Sequence, residues 1–246
     1  MKGNLRLLGG MQIKSPSGLQ ARPTTSRIRE SVVNILKTKI RNCNWLDLCS
    51  GSGAMGCEAL IRGASRVVAV ELNKKIAAIC HDNLSNISKH SNHKNSFEVI
   101  NSDVVKWLNG KLNKSSKGQE KQNDQKFDLV YFDPPYKAKL YTKVLDYLIK
   151  SELVKKDGLV ICEHSSEIRI EFSKECSTTD IRVYGSSSLN FPYSQSGIVL
   201  SRRYWFQALT NKPTIVMGTR PNTIPQSRGS IIVSQKIRIL NTIVSC

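Results

Sequence analysis

Trp45-Leu46-Asp47-Leu48-Cys49-Ser50-Gly51-Ser52-Gly53-Ala54-Met55-Gly56 decides the fold of this chain. The first five residues are an apolar run with one acid inside it, which reads as a buried strand. A Gly-x-Gly turn follows, and Ala54 to Arg62, closed by Gly63, reads as a helix. The alternation continues outward from there. Arg66 to Val70, ending at Glu71, is a second strand, and Ile76 to Ile87 a second helix. Phe97 to Ile100 is a third strand ending near Asp103, and Phe127 to Phe132 a fourth. Leu140 to Ser151 is a helix, and Gly158 to Glu163 a fifth strand. Thr179 to Tyr184 and Gly197 to Phe206 read as late strands in an antiparallel edge hairpin. Residues 109 to 126 are polar and read as an exposed loop or insertion. Alternating strands and helices imply an α/β fold with a mostly parallel sheet covered on both faces.

Gly51, Gly53 and Gly56 satisfy Gly-x-Gly-x-x-Gly, with the acid Glu71 placed as in a dinucleotide site. NAD is therefore one reading. Asp47 argues against it, because an acid before the turn repels a pyrophosphate. S-adenosylmethionine carries a sulfonium and an ammonium and no phosphate, so it tolerates that acid. Glu71 can then accept the ribose hydroxyls, Asp103 the adenine amine, and the Val104 amide can face a ring nitrogen. Each acid also has a simpler use: Asp47 can orient a loop, Glu71 can cap a helix, and Asp103 can start a turn. Their joint placement at three adjacent strand ends favours the cofactor.

The fourth strand ends in Asp133-Pro134-Pro135-Tyr136. In open α/β sheets ligands bind at the carboxyl ends of strands. The two prolines fix φ and leave carbonyls that accept hydrogen bonds from elsewhere. An acid, a rigid turn and an aromatic ring can hold a planar group that bears an amine.

The 246 residues carry a formal charge of +18, which points to a polyanionic partner. Residues 1 to 41 hold nine Lys or Arg against one acid, Glu30. In Arg22-Pro23-Thr24-Thr25-Ser26-Arg27-Ile28-Arg29-Glu30 a hydroxyl can cap a helix whose apolar positions are Ile28, Val32, Ile35, Leu36 and Ile40. Arg22, Arg27 and Arg29 are taken as RNA contacts or as closing over the cofactor's carboxylate. The seven cysteines form no Cys-x-x-Cys pair and the four histidines no ligand pattern, so no metal is expected. No apolar run approaches the roughly 18 residues of a spanning helix, and the first residues are too short and interrupted for a signal peptide. A cytoplasmic, monomeric protein without a membrane partner is expected.

These motifs together with Leu7-Leu8-Gly9-Gly10 and Val70-Glu71-Leu72-Asn73 resemble the bacterial 16S ribosomal RNA guanine-N2 methyltransferases, the small-subunit methyltransferase D type. The likeness covers roughly residues 5 to 206. It implies a Rossmann-like class I methyltransferase fold with a seven-stranded sheet, with Asp47, Gly51, Gly53, Glu71, Asp103 and Val104 binding S-adenosylmethionine. Asp133, Pro134 and Tyr136 become the catalytic set, and the partner becomes 16S rRNA or the assembling small subunit. The organisation expected is a basic RNA-contacting segment at 1–41, a methyltransferase domain at 42–206 and a basic tail at 207–246. The chain departs from the family after Gly10, where Met11-Gln12-Ile13-Lys14 replaces a basic Gly-Arg element. A DNA adenine-N6 methyltransferase and a catalytically silent RNA-binding assembly module are the alternatives. A protein-glutamine methyltransferase is disfavoured by Asp133, where that class tends to carry Asn.

Overall fold

The computed structural model describes residues 3–16, 24–116, 126–135, 140–168, 170 and 176–194. The chain opens with a two-stranded antiparallel hairpin, β1 (Gly3–Arg6) and β2 (Gln12–Ser15). Helix α1 (Ser26–Ile35) follows, capped by the Thr25 hydroxyl, which accepts the Ile28 amide. The alternating core runs β3 (Asn44–Leu48), α2 (Ala54–Ile61), β4 (Arg66–Glu71), α3 (Lys74–Lys89), β5 (Ser96–Asn101), α4 (Val104–Ser116), β6 (Phe127–Phe132), α5 (Tyr141–Lys150) and β7 (Val154–Ser165). Strands β8 (Cys176–Tyr184) and β9 (Ser187–Ser194) close it.

Seven strands form one sheet in the order β5-β4-β3-β6-β7-β9-β8. Strands β3 to β7 pair in parallel, and β9 pairs antiparallel with β7 and β8. This is the architecture of the class I S-adenosylmethionine-dependent methyltransferases. Strand β3 lies between β4 and β6, so the chain leaves β3 toward one side and resumes on the other with β6. The crevice outside the carboxyl ends of β3 and β6 is the switch point at which such sheets bind ligands.

Side chains alternate across the sheet. Trp45, Val67, Ala69, Leu129, Tyr131 and Ile161 pack on one face with α1, α2, α3 and the hairpin residues Leu7 and Ile13. Leu46, Leu48, Val68, Val70, Val130, Phe132 and Val160 pack on the other with α4 and α5. In its described part, therefore, the segment 1–41 shares the central core.

Three sequence expectations change. Residues 109–116 are helical, because Asp103 caps α4 by accepting the Lys106 amide and Val104 and Leu108 anchor it on the sheet. Strand β7 begins at Val154, before Gly158, where a Cβ would lie 2.6 Å from Val154 Cγ1. The hairpin partner of β8 is Ser187–Ser194, joined by a tight turn at Gly185 with φ +66°. The strand expected at 197–206 and the tail at 207–246 lie outside the described residues.

Candidate active site

The turn after β3 is built from left-handed backbone. Cys49, Gly51 and Gly53 have φ of +61°, +54° and +76°. Gly53 needs its missing side chain twice over: its φ disfavours other residues, and a Cβ would lie 2.6 Å from Cys80 Sγ. Neighbouring elements hold the turn. The Gly51 amide donates to Glu71 Oε2 at 2.9 Å, the Ser50 amide to the Val70 carbonyl at 3.1 Å, and the Gly56 amide to Asp47 Oδ2 at 3.1 Å. Asn83 on α3 donates to the Ser52 carbonyl at 2.9 Å and also bonds both backbone groups of Lys14, joining the turn to the N-terminal hairpin.

Asp47 is 2% exposed. Burial pushes its carboxyl up to about 8, against the stabilising Gly56 amide. Its side chain orients the loop from behind, which is the simpler of the two uses open to it from the sequence. A largely protonated acid repels a pyrophosphate weakly, so Asp47 alone does not separate the two cofactors.

Glu71 uses both oxygens, accepting Gly51 on one and the Asn73 amide on the other at 2.8 Å. A carboxylate has lone pairs beyond those two bonds. Leu72, beside it, is 67% exposed, an apolar side chain left in solvent at a strand end. Asp103 spends Oδ1 on its helix cap at 2.8 Å, and Val104 is buried as the first residue of α4. The acids converge on one place: after burial itself, the charges of Glu71, Asp133, Asp47 and Asp103 push the Cys49 thiol above its ordinary range. Such a ring of carboxyl groups offers hydrogen-bond acceptors to a ligand that carries amines and hydroxyls.

On the other side of the switch point, the Asp133 amide donates to the Leu48 carbonyl at 3.3 Å. Its Oδ2 accepts the Thr24 hydroxyl at 3.2 Å. Asp133 is partly exposed, Pro134 buried and Pro135 exposed. Burial and then the charge of Glu163 push the Asp133 carboxyl well above the usual carboxylate range, while Thr24 opposes the shift. Tyr136 and Arg22 lie outside the described residues.

Arg27 is exposed on the first turn of α1. Arg29, expected as an RNA contact off the apolar stripe, is instead 2% exposed. Its guanidinium donates to the Thr24 carbonyl and, at 2.9 Å, to the Arg6 carbonyl, and it faces the fully buried Glu58. Helical spacing explains the correction, since Arg29 stands one turn before Val32 and Val33 on the buried side of α1. Glu58 also accepts the Leu8 amide at 2.8 Å and pairs with Arg62. Sequence reading missed Glu58, Glu163 and the Thr24 hydroxyl. A lone acid in the apolar run of α2, and an acid closing the apolar run of β7, were the available signals.

A family model described as conserved hypothetical protein 95 matches residues 5–193. Ribosomal RNA small subunit methyltransferase D of Haemophilus influenzae is 30% identical over 168 residues, covering 66% of this chain and 79% of that one. The chain belongs to the ribosomal RNA small subunit methyltransferase D family. The fold is shared with a hypothetical protein of Thermus thermophilus, which this chain matches with a TM-score of 0.60 and 25% identity over 76% of its length and 98% of the other. A candidate S-adenosylmethionine-dependent methyltransferase from Streptococcus mutans matches in fold alone, with a TM-score of 0.55 and 15% identity over 78% of this chain and 55% of that one. As a member of the family matched over residues 5–193, the chain is a methyltransferase, with S-adenosylmethionine as its cofactor. The acids around Cys49 and the open glycine turn fit that group.

Proposed function

We propose that this chain methylates the exocyclic N2 amine of a guanine in 16S ribosomal RNA. The observation that carries the reading is the position of Asp133-Pro134 at the switch point, across from the glycine turn and tied to it through the Leu48 carbonyl. The named relatives support the RNA class, and the resemblance supports guanine.

Glu71, Asp103 and the Gly51–Gly53 turn would hold S-adenosylmethionine, with Asp47 shaping the turn and Val104 lending its amide. When bound, the cofactor supplies an electrophilic methyl group. An exocyclic amine is a weak nucleophile because its lone pair is conjugated into the ring. Asp133 accepts one amine hydrogen and the Pro134 carbonyl another, which favours pyramidalisation and directs the lone pair. Tyr136 stacks on the base, a contact worth about 1–3 kcal/mol, against a cost of a few kcal/mol for unstacking it from the RNA. In-line positioning can lower the barrier by roughly 7–11 kcal/mol. Arg27, exposed beside this crevice's Thr24–Thr25 strap, and Arg22 contribute to phosphate contact, which positions the substrate without specifying it.

The test is incubation with labelled S-adenosylmethionine and naked 16S rRNA, assembled small subunits or duplex DNA. Label is expected in RNA, at a guanine N2 on nucleoside analysis. Label only in DNA adenine would overturn the reading, and cofactor binding without transfer would leave a silent assembly module. Asp133→Ala should lower single-turnover transfer by about 10²–10⁴-fold while binding S-adenosylhomocysteine nearly as well as the unaltered protein.

A further inference from the structure

Glu163 lies on β7 just past the last position paired with β6, beside Asp133. Phe132 and Cys162 are in register in the parallel β6–β7 pair, so the next positions on the two strands are Asp133 and Glu163. Residues two apart share a face of the sheet. Tyr131, Asp133 and Glu163 therefore stand on the face that carries α1 and α2, with Asp47 in register with Tyr131 on the adjoining strand. Glu163 is 3% exposed. Tyr131 Oη donates to its Oε2, and Tyr141 Oη on α5 donates to its backbone carbonyl at 2.9 Å. Asp133 has a different donor, the Thr24 hydroxyl. Two carboxyls thus stand side by side where the β6–β7 pairing stops, each with its own hydroxyl.

We propose that Glu163 is a positioning residue: anchored as an anion by Tyr131, it controls when Asp133 can take up the proton that the target amine releases. The proposal rests on the methyl-transfer reading above. In that reaction the N–C bond forms as the S–C bond breaks, and the cofactor leaves as a neutral thioether. The nitrogen passes one proton to the Asp133 carboxylate. A carboxylate that ionises against a buried anion is a stronger proton acceptor than a solvated one.

Tyr131 favours the charge on Glu163, because its hydroxyl donates to Oε2. Burial first and Glu163's charge second hold the Tyr131 phenol well above its ordinary range, so it remains a donor. Asp47 from β3 raises both Asp133 and Tyr131. Arg29 from α1 lies within electrostatic reach of Tyr131 and engages Glu58 from α2. The proton is therefore held at the Asp133 end, where, among the described residues, the Thr24 hydroxyl favours the anion against burial and the charges of Glu163 and Asp47. Interacting carboxyls of this kind titrate as a pair.

Carbon-13 NMR titration of the ligand-free protein, with aspartate carboxyls labelled and Asp133→Asn used for assignment, reads the pair directly. Asp133 is expected to titrate above the ordinary carboxylate range. Glu163→Gln, whose amide oxygen can still accept from Tyr131, should lower the midpoint by at least about one pH unit. Tyr131→Phe should move it the same way, by leaving Glu163 protonated, and it serves if the first variant does not fold. An ordinary midpoint in the unaltered protein, or one that neither variant moves, overturns the proposal. With RNA as substrate, the acid limb of kcat/KM should follow the midpoint in Glu163→Gln. A limb that stays put while the Asp133 midpoint moves removes Glu163 from the reaction. An unaltered protein that shows the shifted midpoint but transfers no methyl group refutes the methyl-transfer reading, and with it any role of the pair in catalysis.

Discussion

The two faces of the central sheet are built from different chemistry. Under α4 and α5, the packing is Leu46, Leu48, Val130, Phe132, Val144, Leu145 and Leu148, with no buried carboxylate among the described residues. The opposite face has a comparable apolar core but also buries Asp47, Glu58 and Glu163, together with Arg29. The apolar face needs only shape. The other needs partners, because a buried charge without one costs several kcal/mol. The polar face is also the one from which Asp133 receives Thr24 and Glu163. Its buried polar groups are thus the supports of the candidate site.

The largest difference should appear on breaking the Arg29–Glu58 pair. Glu58→Ala strands a buried guanidinium and should lower unfolding free energy by about 3–5 kcal/mol, measured in urea. Replacing Arg29 by Met and Glu58 by Leu together should recover much of that loss. Leu145→Ala on the apolar face should cost about 2–5 kcal/mol, with no comparable rescue. A Glu58→Ala loss within about 0.5 kcal/mol would erase the distinction between the faces.

A pH titration sharpens the comparison. Asp47 has a folded-state pKa of about 8, against an unfolded value of about 3.9. The folded chain holds more protons between those values, so Asp47's contribution is most favourable at low pH and declines as pH rises through that window. Asp47→Asn keeps an acceptor for the Gly56 amide and cannot ionise. Its stability relative to the unaltered protein should rise from pH 5 to pH 8, whereas the Leu145→Ala difference should stay level. The smallest effect is expected from Thr24→Val, which removes the hydroxyl from Asp133 at a cost of about 1 kcal/mol. Methyl transfer should slow roughly fivefold, with the melting curve little changed.

Legibility in the sequence followed the same divide. Strands β3, β4 and β6 were readable because their side chains are apolar toward both faces, as buried parallel strands require. Strand β9 was not: its buried side chains include Ser187, Ser188 and Asn190, so no apolar pattern announces it. The more hydrophobic run at 197–206 drew the reading away from it. Helix α4 hid its second half because Lys111 and Asn113 look like loop residues when only one side of a helix is buried. In the candidate site, the glycine turn and the strand-end acids could be read from spacing alone. Arg29 could not, because its charge suggested solvent, and its burial rests on partners that spacing does not reveal: the Thr24 and Arg6 carbonyls and Glu58.

The hydrogen bond from Thr24 to Asp133 joins residues 109 apart in the chain, and the bond from Lys14 to Asn83 joins residues 69 apart. Closing such long loops is entropically costly, and contacts of this range slow folding. The N-terminal hairpin and the Thr24–Thr25 strap precede in sequence the elements that hold them: Glu58 on α2, Asn83 on α3 and Asp133 after β6. In hydrogen exchange, the amides of Leu8 and Lys14 should open at lower free energy than those of Leu46 or Val130, since strap release requires no rupture of the central strands.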